Sequence, residues 1–513
     1  MCVYADFVNL VSKNPASPSV IMLNDSIDYA SIFALSERIA GGLVEFGLVK
    51  GDRVAIHMLN RPEVIAICYA CLKVGAVIVP ISNKSSKDEI QKLLSHSRAR
   101  FYFGDVELFE ISAEIVNGSA LIDAAWIIRL KENIDSAKSF DQVLCEKDLT
   151  PVKVGLDDPA AIFYTSGTTG LPKGVVYTYE TLMHSLDLMD PTLDPEYRSL
   201  SARTDAVHSL VGATSAWGML TFLASLRRGR PVALLTYSYD SAAVFALLHK
   251  HKIGWLGGAP SSFSALIAEY KNRKYDAIDL SGTICIAGGD TCQSNLPQAF
   301  LETFNANIQT TYGQTETCGP VIHHPNLNEI TEPAIGWPLP GVEIRIDTIE
   351  GGAGEGELLV KSPAQPAGFW RGVDMEAFDS SGWLATGDIV LQRADGCLMF
   401  LGRKGDHYMV EGYPVVPLEV ENTLLEHENV AAALVFSIVD DSKGARGIAI
   451  VEPREYPLPT QELKKHLNGR IADYKYPSEF YLVDCLPVGS NGKYTRKQLA
   501  QAYADSDAPF CKK

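Results

Sequence analysis

Hydrophobic residues in the first part of the chain recur at two spacings, one typical of helices and the other of buried strands. Residues 34–46 carry apolar side chains at helical intervals, and the run at 53–58 predicts a strand. An apolar helix at 64–72 then leads through Gly75 to a second strand at 76–80. Because strand–helix–strand order favours parallel neighbours, this pattern predicts a parallel sheet covered by helices.

The same alternation returns in the middle of the chain and then changes character. The pattern predicts strands at 232–235, 253–256 and 284–287, and helices at 242–249 and 262–270. From about Gly341, the runs 342–346 and 356–360 alternate apolar with polar residues, as antiparallel strands do. We therefore expect a small β subdomain to follow the parallel region.

A domain boundary is predicted near residues 402–406. Beyond it, the pattern predicts helices at 418–425 and 460–467 and strands at 432–436 and 447–451. These are enough elements for a small α+β domain. Gly405 lies among charged residues at the joint, a composition that suits rotation. The expected organisation is α/β, with a domain at 1–402 followed by a smaller, mobile domain at 403–513.

The composition is that of a folded, acidic protein. Of its 513 residues, 46% are hydrophobic and only 21% are charged, so we expect a large core and no long disorder. The formal net charge of −17 opposes electrostatic binding to nucleic acid and to anionic membranes. Neither partner is therefore expected.

Cysteine usage and the apolar runs bear on the compartment. The ten cysteines show no disulfide-like framework, and the first residues lack the layout of a signal peptide. We therefore expect a cytoplasmic protein, and no apolar run reaches the roughly 18 residues of a membrane span. Cys68 and Cys71 form a C-x-x-C pair inside an apolar helical run, which we interpret as buried structural thiols. We interpret His323 and His324 as a surface pair.

Residues 164–174 have the composition of a phosphate cradle. They read YTSGTTGLPKG and follow a short apolar run that predicts a buried strand. Glycines let backbone N–H groups approach an anion, hydroxyls add donors, and lysine supplies a compact positive charge. The segment is not a Walker loop, since Pro172 stands where that motif needs glycine.

Three further segments carry groups suited to a nucleotide. Residues 311–316, TYGQTE, follow a weaker predicted strand at 308–310 and are expected on a loop. They combine an aromatic ring, a hydroxyl and a carboxylate, which could stack on a base, contact phosphate and bind Mg²⁺. Residues 382–388 end at Asp388, whose carboxylate can accept from both hydroxyls of a ribose. Near the C-terminus, residues 486–496 read LPVGSNGKYTR and contain Lys493.

Together these segments resemble the motifs of the adenylate-forming superfamily, which comprises acyl-CoA synthetases, luciferases and the adenylation domains of peptide synthetases. The resemblance covers nearly the whole chain. It implies a large N-terminal domain of two helix-flanked sheets plus a small β subdomain, followed by a mobile α+β domain. It also implies a ligase that uses ATP and Mg²⁺ to convert a small carboxylic acid into an acyl-adenylate, with pyrophosphate release, and then transfers the acyl group, with CoA as the second substrate.

The resemblance also assigns roles to residues. It makes Lys493, Glu316 and Thr165 catalytic, with Glu316 as the magnesium ligand, and places the hinge at Gly405. Tyr312 would contact adenine, Thr315 phosphate, and Asp388 and Arg403 the ribose. The full nucleotide-binding set is Ser166, Gly167, Thr168, Thr169, Gly170, Lys173, Gly288, Gly289, Tyr312, Thr315, Asp388 and Arg403.

The acid-binding pocket departs most from the family pattern. Its expected lining is His208, Gly212, Ala213, Trp217, Gly257 and Gly313. At Gly212 and Ala213 many acyl-CoA synthetases carry an aromatic residue and a histidine, and amino-acid adenylation domains carry an aspartate. No counter-charge is offered there, so an α-amino acid is not the expected substrate. A small-walled apolar pocket suits an aromatic, alicyclic or medium-chain acid. His208 is either part of it or a structural histidine.

Alternatives remain for the acceptor of the acyl group. The first is an amine or amino acid, which would make the enzyme a stand-alone amide ligase. Gly405 at the hinge, Glu411 beside Gly412 and the unusual pocket keep that interpretation open. The second is the phosphopantetheine of a carrier protein. A nucleotide sensor without catalysis is the alternative from another class, and it leaves the match at Lys493 without a reason.

Overall fold

Three hydrogen-bonded sheets organise the described part of the chain. The computed structural model describes residues 3–119, 121–133, 137–165, 173–189, 205–237, 240–273, 275–290, 292, 296–325, 334–348, 354–371, 378–379, 381–410, 413–440, 444–486 and 496–504. In chain order, its strands are β1 (Pro18–Ile21), β2 (Ser26–Asp28), β3 (Arg53–His57), β4 (Val77–Pro80), β5 (Phe101–Asp105), β6 (Ala124–Ile128), β7 (Ala137–Ser139), β8 (Pro159–Thr165), β9 (Lys173–Thr178), β10 (Ala206–Ser209), β11 (Val232–Ala233), β12 (Ile253–Gly258), β13 (Ile284–Gly288), β14 (Ile308–Gln314), β15 (Gly319–His324), β16 (Ala334–Pro338), β17 (Glu343–Thr348), β18 (Glu355–Lys361), β19 (Leu384–Gln392), β20 (Leu398–Arg403), β21 (Tyr408–Val410), β22 (Tyr413–Val415), β23 (Val430–Asp440), β24 (Gly444–Pro453) and β25 (Glu479–Leu482).

Helices separate these strands as the apolar spacing predicted. They are α1 (Val3–Lys13), α2 (Tyr29–Glu45), α3 (Pro62–Val74), α4 (Lys87–Ser97), α5 (Val106–Gly118), α6 (Tyr179–Leu188), α7 (Ala216–Arg227), α8 (Ser241–Lys250), α9 (Pro260–Asn272), α10 (Leu296–Phe304), α11 (Pro417–Leu425), α12 (Thr460–Leu467) and α13 (Arg496–Ala504). Local signals fix several ends: Asp28 caps α2, Ser86 and Glu89 form a capping box on α4, and Gly75 ends α3 at a φ of +71°. No helix in the described residues has the length and apolar character that crossing a bilayer requires.

The first sheet has the order β7-β6-β5-β3-β4-β8-β9. Its pairs are parallel except β8 with β9, which confirms the parallel sheet that the N-terminal pattern predicted. Strands β4 and β6 are buried along their whole length, as expected when helices cover both faces of a sheet. Cys68 and Cys71 are buried in α3, and burial raises the pKa of both thiols, so the structural interpretation of this pair is confirmed.

The second sheet has the order β17-β18-β19-β20-β16-β15-β14-β13-β12-β10-β11-β1-β2. The expected β subdomain corresponds to β17–β20, and β20 pairs with β16, so the subdomain extends the second sheet. The predicted strand at 232–235 was too long. Strand β11 ends at Ala233, since the Leu235 carbonyl accepts from the Asn60 side chain instead of from a neighbouring strand. The surface interpretation of the histidine pair was wrong for His324, which is buried on β15 beside Trp337.

The two large sheets share one core, whereas the C-terminal elements have their own. Helices α1, α2, α3, α6 and α7 contribute to the shared core, where Phe7 stacks on Tyr69 with a 3.7 Å centroid distance. In the C-terminal part, β21–β25 form the third sheet, and Val420, Leu424 and Leu463 pack on it from α11 and α12. Separate apolar cores are what independent domains possess. The α/β fold class is therefore confirmed.

Candidate active site

The phosphate segment connects two strands that pair directly with each other. Thr165, at the end of β8, is the ladder partner of Lys173, at the start of β9. The residues between them, including Ser166, Gly167, Thr168, Thr169 and Gly170, lie outside the described residues. The Lys173 ammonium lies 5.6 Å from the Phe369 ring centroid, within cation–π range. Both ends of the segment are thus fixed at one edge of the first sheet.

Thr165 and Glu316 come together from different sheets. The Thr165 hydroxyl donates to Glu316 Oε1 at 3.4 Å, although 151 positions separate the two residues. Strand β9 supports this arrangement, because the Tyr177 hydroxyl donates to the Thr315 carbonyl at 2.8 Å. A carboxylate beside a hydroxyl offers hard oxygen donors, the type that Mg²⁺ takes from a protein when phosphates supply further ligands. This donor set therefore fits the magnesium role assigned to Glu316.

A second group of polar side chains gathers around Asp388. The Tyr312 hydroxyl donates to Asp388 Oδ2 at 2.6 Å, and the Gln314 amide donates to the same oxygen at 2.7 Å. Gln314 also donates to the Thr386 carbonyl at 3.0 Å. Gln314 belongs to the hexapeptide 311–316, but its sequence context indicated no role for it. Tyr312 and Gln314 share a face because they lie two residues apart on a strand, whereas a loop was expected there.

Strand pairing explains why Tyr312 reaches Asp388. Residues 311–316 were expected on a loop, but β14 continues to Gln314 because β15 folds back on it, with Tyr312 opposite Ile322. Gly313 is required by this hairpin. A Cβ at position 313 would lie 2.3 Å from the Gly319 carbonyl oxygen, so the glycine permits the close approach of the two strands. The expected place of Gly313 in the acid pocket stays a prediction.

The Asp388 carboxylate is buried and incompletely paired. Its Oδ1 accepts no hydrogen bond from the described residues, although Arg403 Nε lies 3.0 Å away. Burial raises the pKa of Asp388, while Arg403, Tyr312 and Gln314 act in the opposite direction. A buried acceptor with spare capacity is costly unless a ligand completes it. Paired hydroxyls, such as those of a ribose, are donors that would do so.

Trp217 lies at the carboxyl end of β13, beside Gly288 and Gly289. A Cβ at Gly288 would be 2.6 Å from the Thr311 carbonyl oxygen and 2.7 Å from Trp217 Cη2. Gly289 has a φ of +76°, which favours glycine for conformational reasons as well. In open α/β sheets, ligands bind outside the carboxyl ends of the strands. The structure therefore places Trp217, Gly288 and Gly289 together at the edge where a ligand is expected.

The loop that contains Gly212 and Ala213 is hydrogen-bonded to Asn60, which follows β3 of the first sheet. The Ala213 N–H donates to Asn60 Oδ1 at 2.7 Å, while the Asn60 amide donates to the Leu235 carbonyl at 3.1 Å. Asn60 thus holds two chain segments in place, a role that the sequence analysis missed. The nearest atom to a Cβ at Gly212 would be 3.8 Å away, so this glycine leaves open space.

His208 lies in a small cavity that it shares with Ala213, another residue expected in the acid pocket. The cavity is also lined by Asn60, Thr221 and Phe222, and its lining includes no carboxylate. His208 Nδ1 lies 2.9 Å from the Ala233 carbonyl, and no described residue hydrogen-bonds to Nε2. Burial lowers the pKa of His208 to about 4, so the imidazole is neutral near pH 7. The contact with the Ala233 carbonyl fits a structural histidine, and the cavity shared with Ala213 fits a pocket residue, so both interpretations stay predictions.

We expect the protein to lose stability as the pH falls from about 6.5 towards 4. Burial lowers the pKa of His57 and of His208 to about 4, below the value near 6.5 of an unfolded chain. The unfolded state then binds protons that the folded state does not. Each histidine should lower the free energy of unfolding by about 1.4 kcal/mol per pH unit, or roughly 3 kcal/mol over this range, and the two together should lower it by about twice that.

Urea unfolding at several pH values measures this effect. His208→Asn, which keeps a donor near the Ala233 carbonyl, should remove the contribution of one buried histidine, about 1.4 kcal/mol per pH unit. The matched control His249→Asn changes an exposed histidine on α8 and should keep the whole dependence. An identical pH dependence in His208→Asn and the unchanged protein would contradict the assignment.

The hinge candidate Gly405 lies between two residues whose side chains bind to different parts of the chain. Lys404 Nζ donates to Glu357 Oε2 of β18 at 2.6 Å, and the Lys404 N–H donates to the Gly387 carbonyl. Asp406 Oδ2 instead accepts from Arg496 Nη1 at 2.7 Å. A Cβ at Gly405 would meet no atom within 4 Å. One backbone hydrogen bond spans Gly405, from the Asp406 N–H to the Arg403 carbonyl at 3.0 Å, and no side chain obstructs the glycine.

Arg496 anchors the end of the segment that carries Lys493. Lys493 itself lies outside the described residues. Arg496, the first residue of α13, donates to both carboxylate oxygens of Glu421 at 2.8 and 3.0 Å and to the Val435 carbonyl at 2.8 Å. Sequence reasoning gave Arg496 no role, because its partners are 61 to 90 positions away.

Two family models match most of this chain. The family model described as "AMP-binding enzyme" matches residues 7–370, and the model of its C-terminal domain matches residues 419–493. A crystal structure of coronafacic acid ligase from Pectobacterium brasiliense is 36% identical, covers 100% of this chain and 99% of its own, and has a TM-score of 0.79.

Two curated relatives are similar over most of their length. Long-chain-fatty-acid–CoA ligase FadD13 from Mycobacterium tuberculosis is 28% identical over 490 residues, which is 93% of each chain. Feruloyl-CoA synthase from an Amycolatopsis species is 27% identical over 508 residues, or 97% of this chain and 98% of that protein. The matches extend across both apolar cores.

Proposed function

Because the chain belongs to the AMP-binding enzyme family and is an adenylate-forming ligase that uses ATP and Mg²⁺, we propose that it activates a compact apolar carboxylic acid and transfers the acyl group to CoA. The observation that carries the proposal is the meeting of two groups of side chains at the carboxyl end of β14. Thr165 and Glu316 form one, and Tyr312, Gln314 and Asp388 form the other. The first group suits the phosphates of a nucleotide, and the second suits its ribose.

The chemical difficulty is the approach of two anions. A carboxylate oxygen attacks the α-phosphorus of ATP, a P–O bond forms, and the bond to the pyrophosphate leaving group breaks. We assign charge neutralisation to Lys173 and Lys493, with phosphate contacts from Ser166–Gly170 and Thr315. Glu316 and Thr165 would hold Mg²⁺, which supplies further charge neutralisation at the phosphates. Asp388 and Arg403 would orient the ribose, and Tyr312 would border the adenine.

The second step needs a different arrangement of the two domains. The acceptor thiol attacks the acyl carbon, its proton leaves, and AMP departs. We assign domain rotation to Gly405, separating a domain at 1–402 from a domain at 403–513. The opposite anchoring of Lys404 and Asp406 supports this assignment, because rotation at the residue between them breaks neither ion pair. A cytoplasmic location remains part of the proposal.

The acceptor has one alternative that a specific observation favours. Coronafacic acid ligase is more similar to this chain, at 36% identity, than the two CoA ligases, at 27% and 28%. That protein's name specifies an acid and no thiol. Gly405 and Glu411 also depart from the usual family residues. An amide ligase is therefore the second candidate, and transfer to a carrier protein is the third.

Acceptor competition distinguishes these candidates. The protein is incubated with ATP, Mg²⁺ and an acid from a broad panel, and pyrophosphate release is followed with CoA, with amino acids, with holo carrier protein or with none. Under the proposal, CoA should raise steady-state turnover by at least about tenfold over the other acceptors, and acyl-CoA should be found by mass spectrometry. Faster turnover with an amino acid, together with an amide product, would overturn the CoA assignment.

A further inference from the structure

The indole of Trp255 occupies one face of the second sheet, next to the carboxyl ends of the strands where a ligand is expected. Trp255 points to the same face as Val207, Ile284 and Ile286, and together they form a small apolar cluster with Trp217 against it. Strand pairing places Val207 and Ile284 on either side of Trp255. Trp255 itself is only 8% exposed. The cluster therefore lies directly below the strand ends where Trp217 and Gly288 are found.

Gly257 accommodates this indole. A Cβ at position 257 would lie 2.1, 2.6 and 2.7 Å from Trp255 Cη2, Cζ3 and Cζ2, so no larger residue fits while the ring keeps its position. Small residues were expected here to leave room for a substrate, which stays a prediction. The structure adds a steric role, because Gly257 permits Trp255 to lie along the strand towards its carboxyl end. Gly258 likewise gives no open space, since its Cβ would lie 2.7 Å from Leu210 Cβ.

Two indoles therefore lie one after the other along this face of the sheet. Trp217 covers Gly288 at the strand end, and Trp255 covers Gly257, whose ladder partner Ile286 lies two residues before Gly288. Two residues of strand correspond to roughly 7 Å. A ligand that enters from the carboxyl edge reaches the Trp255 ring after about that depth.

Resting on the proposed function, we infer that Trp255 is a specificity-determining residue that closes the acid pocket to extended chains and restricts it to compact acids, aromatic or alicyclic. The wall is rigid, because the indole is held between Val207, Ile284 and Ile286 on a central sheet. A ring system occupies a short, wide space with most of its apolar surface buried, whereas a long chain would leave its end outside.

The test is a chain-length profile of acid-dependent exchange between ATP and labelled pyrophosphate. The unchanged protein is offered aromatic and alicyclic acids and straight-chain acids from hexanoic to palmitic acid. Its kcat/KM should be at least about 100-fold lower for palmitic acid than for the best compact acid. Trp255→Ala should raise the palmitic acid value by roughly 15- to 60-fold, since each additional buried methylene contributes about fourfold and two or three would enter.

Trp255→Leu gives a second variant that keeps the site apolar, and it should show a smaller gain of the same sign. Trp126→Leu is the matched control, because Trp126 is equally large and fully buried but lies on β6 of the first sheet. Its chain-length profile should stay unchanged. AMP binding by calorimetry verifies that each variant is folded.

Two outcomes separate this inference from the proposed function. If compact acids support exchange but both Trp255 variants keep the original chain-length limit, or if the unchanged protein already accepts palmitic acid well, the role of Trp255 is overturned. If every variant binds AMP and no acid of either shape supports exchange, the proposed function fails, and the inference fails with it.

Discussion

Lys493→Ala is expected to slow acyl-adenylate formation by about 10²- to 10³-fold, which is the range for removing one preorganised charge at a reacting centre. Thioester formation from chemically supplied acyl-adenylate should survive, because the nucleotide is already cleaved and the second step proceeds after domain rotation. Single-turnover measurements of each half-reaction provide the two rates. Arg496 fixes the end of the segment that contains Lys493, so we expect the substitution to affect the adenylation step and not the rest of the fold.

A lysine elsewhere in the same domain supplies the control. Lys465 is exposed on α12, so Lys465→Ala should leave both half-reactions within about twofold of the unchanged protein. Equal loss of the two half-reactions in Lys493→Ala would contradict the division of labour between two domain arrangements.

Asp388→Asn is expected to weaken AMP binding by about 10- to 100-fold. A hydrogen bond to a charged group contributes about 1.5–3 kcal/mol, and asparagine keeps the shape while losing the charge and one acceptor oxygen. The protein should stay folded, because burial raises the pKa of Asp388 and a neutral group is therefore less costly at that position. Isothermal titration with AMP, paired with thermal unfolding, measures binding and stability separately.

Asp347 offers a matched carboxylate, exposed on β17 of the same sheet. Asp347→Asn should bind AMP as the unchanged protein does. If Asp388→Asn kept full AMP affinity, the ribose would have to be bound elsewhere, and the arrangement around Tyr312 and Gln314 would need another explanation.

Elements with strong local signals could be predicted from the sequence. The helix at 460–467 has the bounds that its apolar spacing indicated, since polar residues surround a short apolar stripe and Pro459 precedes it. The parallel order of the first sheet followed from strand–helix–strand repeats. The meeting of Thr165 with Glu316, and of Tyr312 with Asp388, agrees with the grouping that the motifs indicated, while their functional roles remain predictions.

Contacts between distant segments could not be predicted. Gly257 and Gly313 were expected as pocket walls, and the structure adds steric roles: Gly257 accommodates Trp255, and Gly313 permits the close approach of β15. Neither neighbour can be identified from spacing alone. Asn60 and Arg496 lacked any motif, and their importance depends on partners far along the chain. Strand β14 continued past its expected end because β15 pairs with it. Tertiary contacts decide such positions.

The most direct test of the central claim is acid-dependent exchange of labelled pyrophosphate into ATP, measured on the purified full chain with Mg²⁺ and a broad library of carboxylic acids, without any acceptor. The account predicts exchange with at least one compact apolar acid and none when the acid is omitted. AMP binding with no exchange for any acid in the library would contradict it.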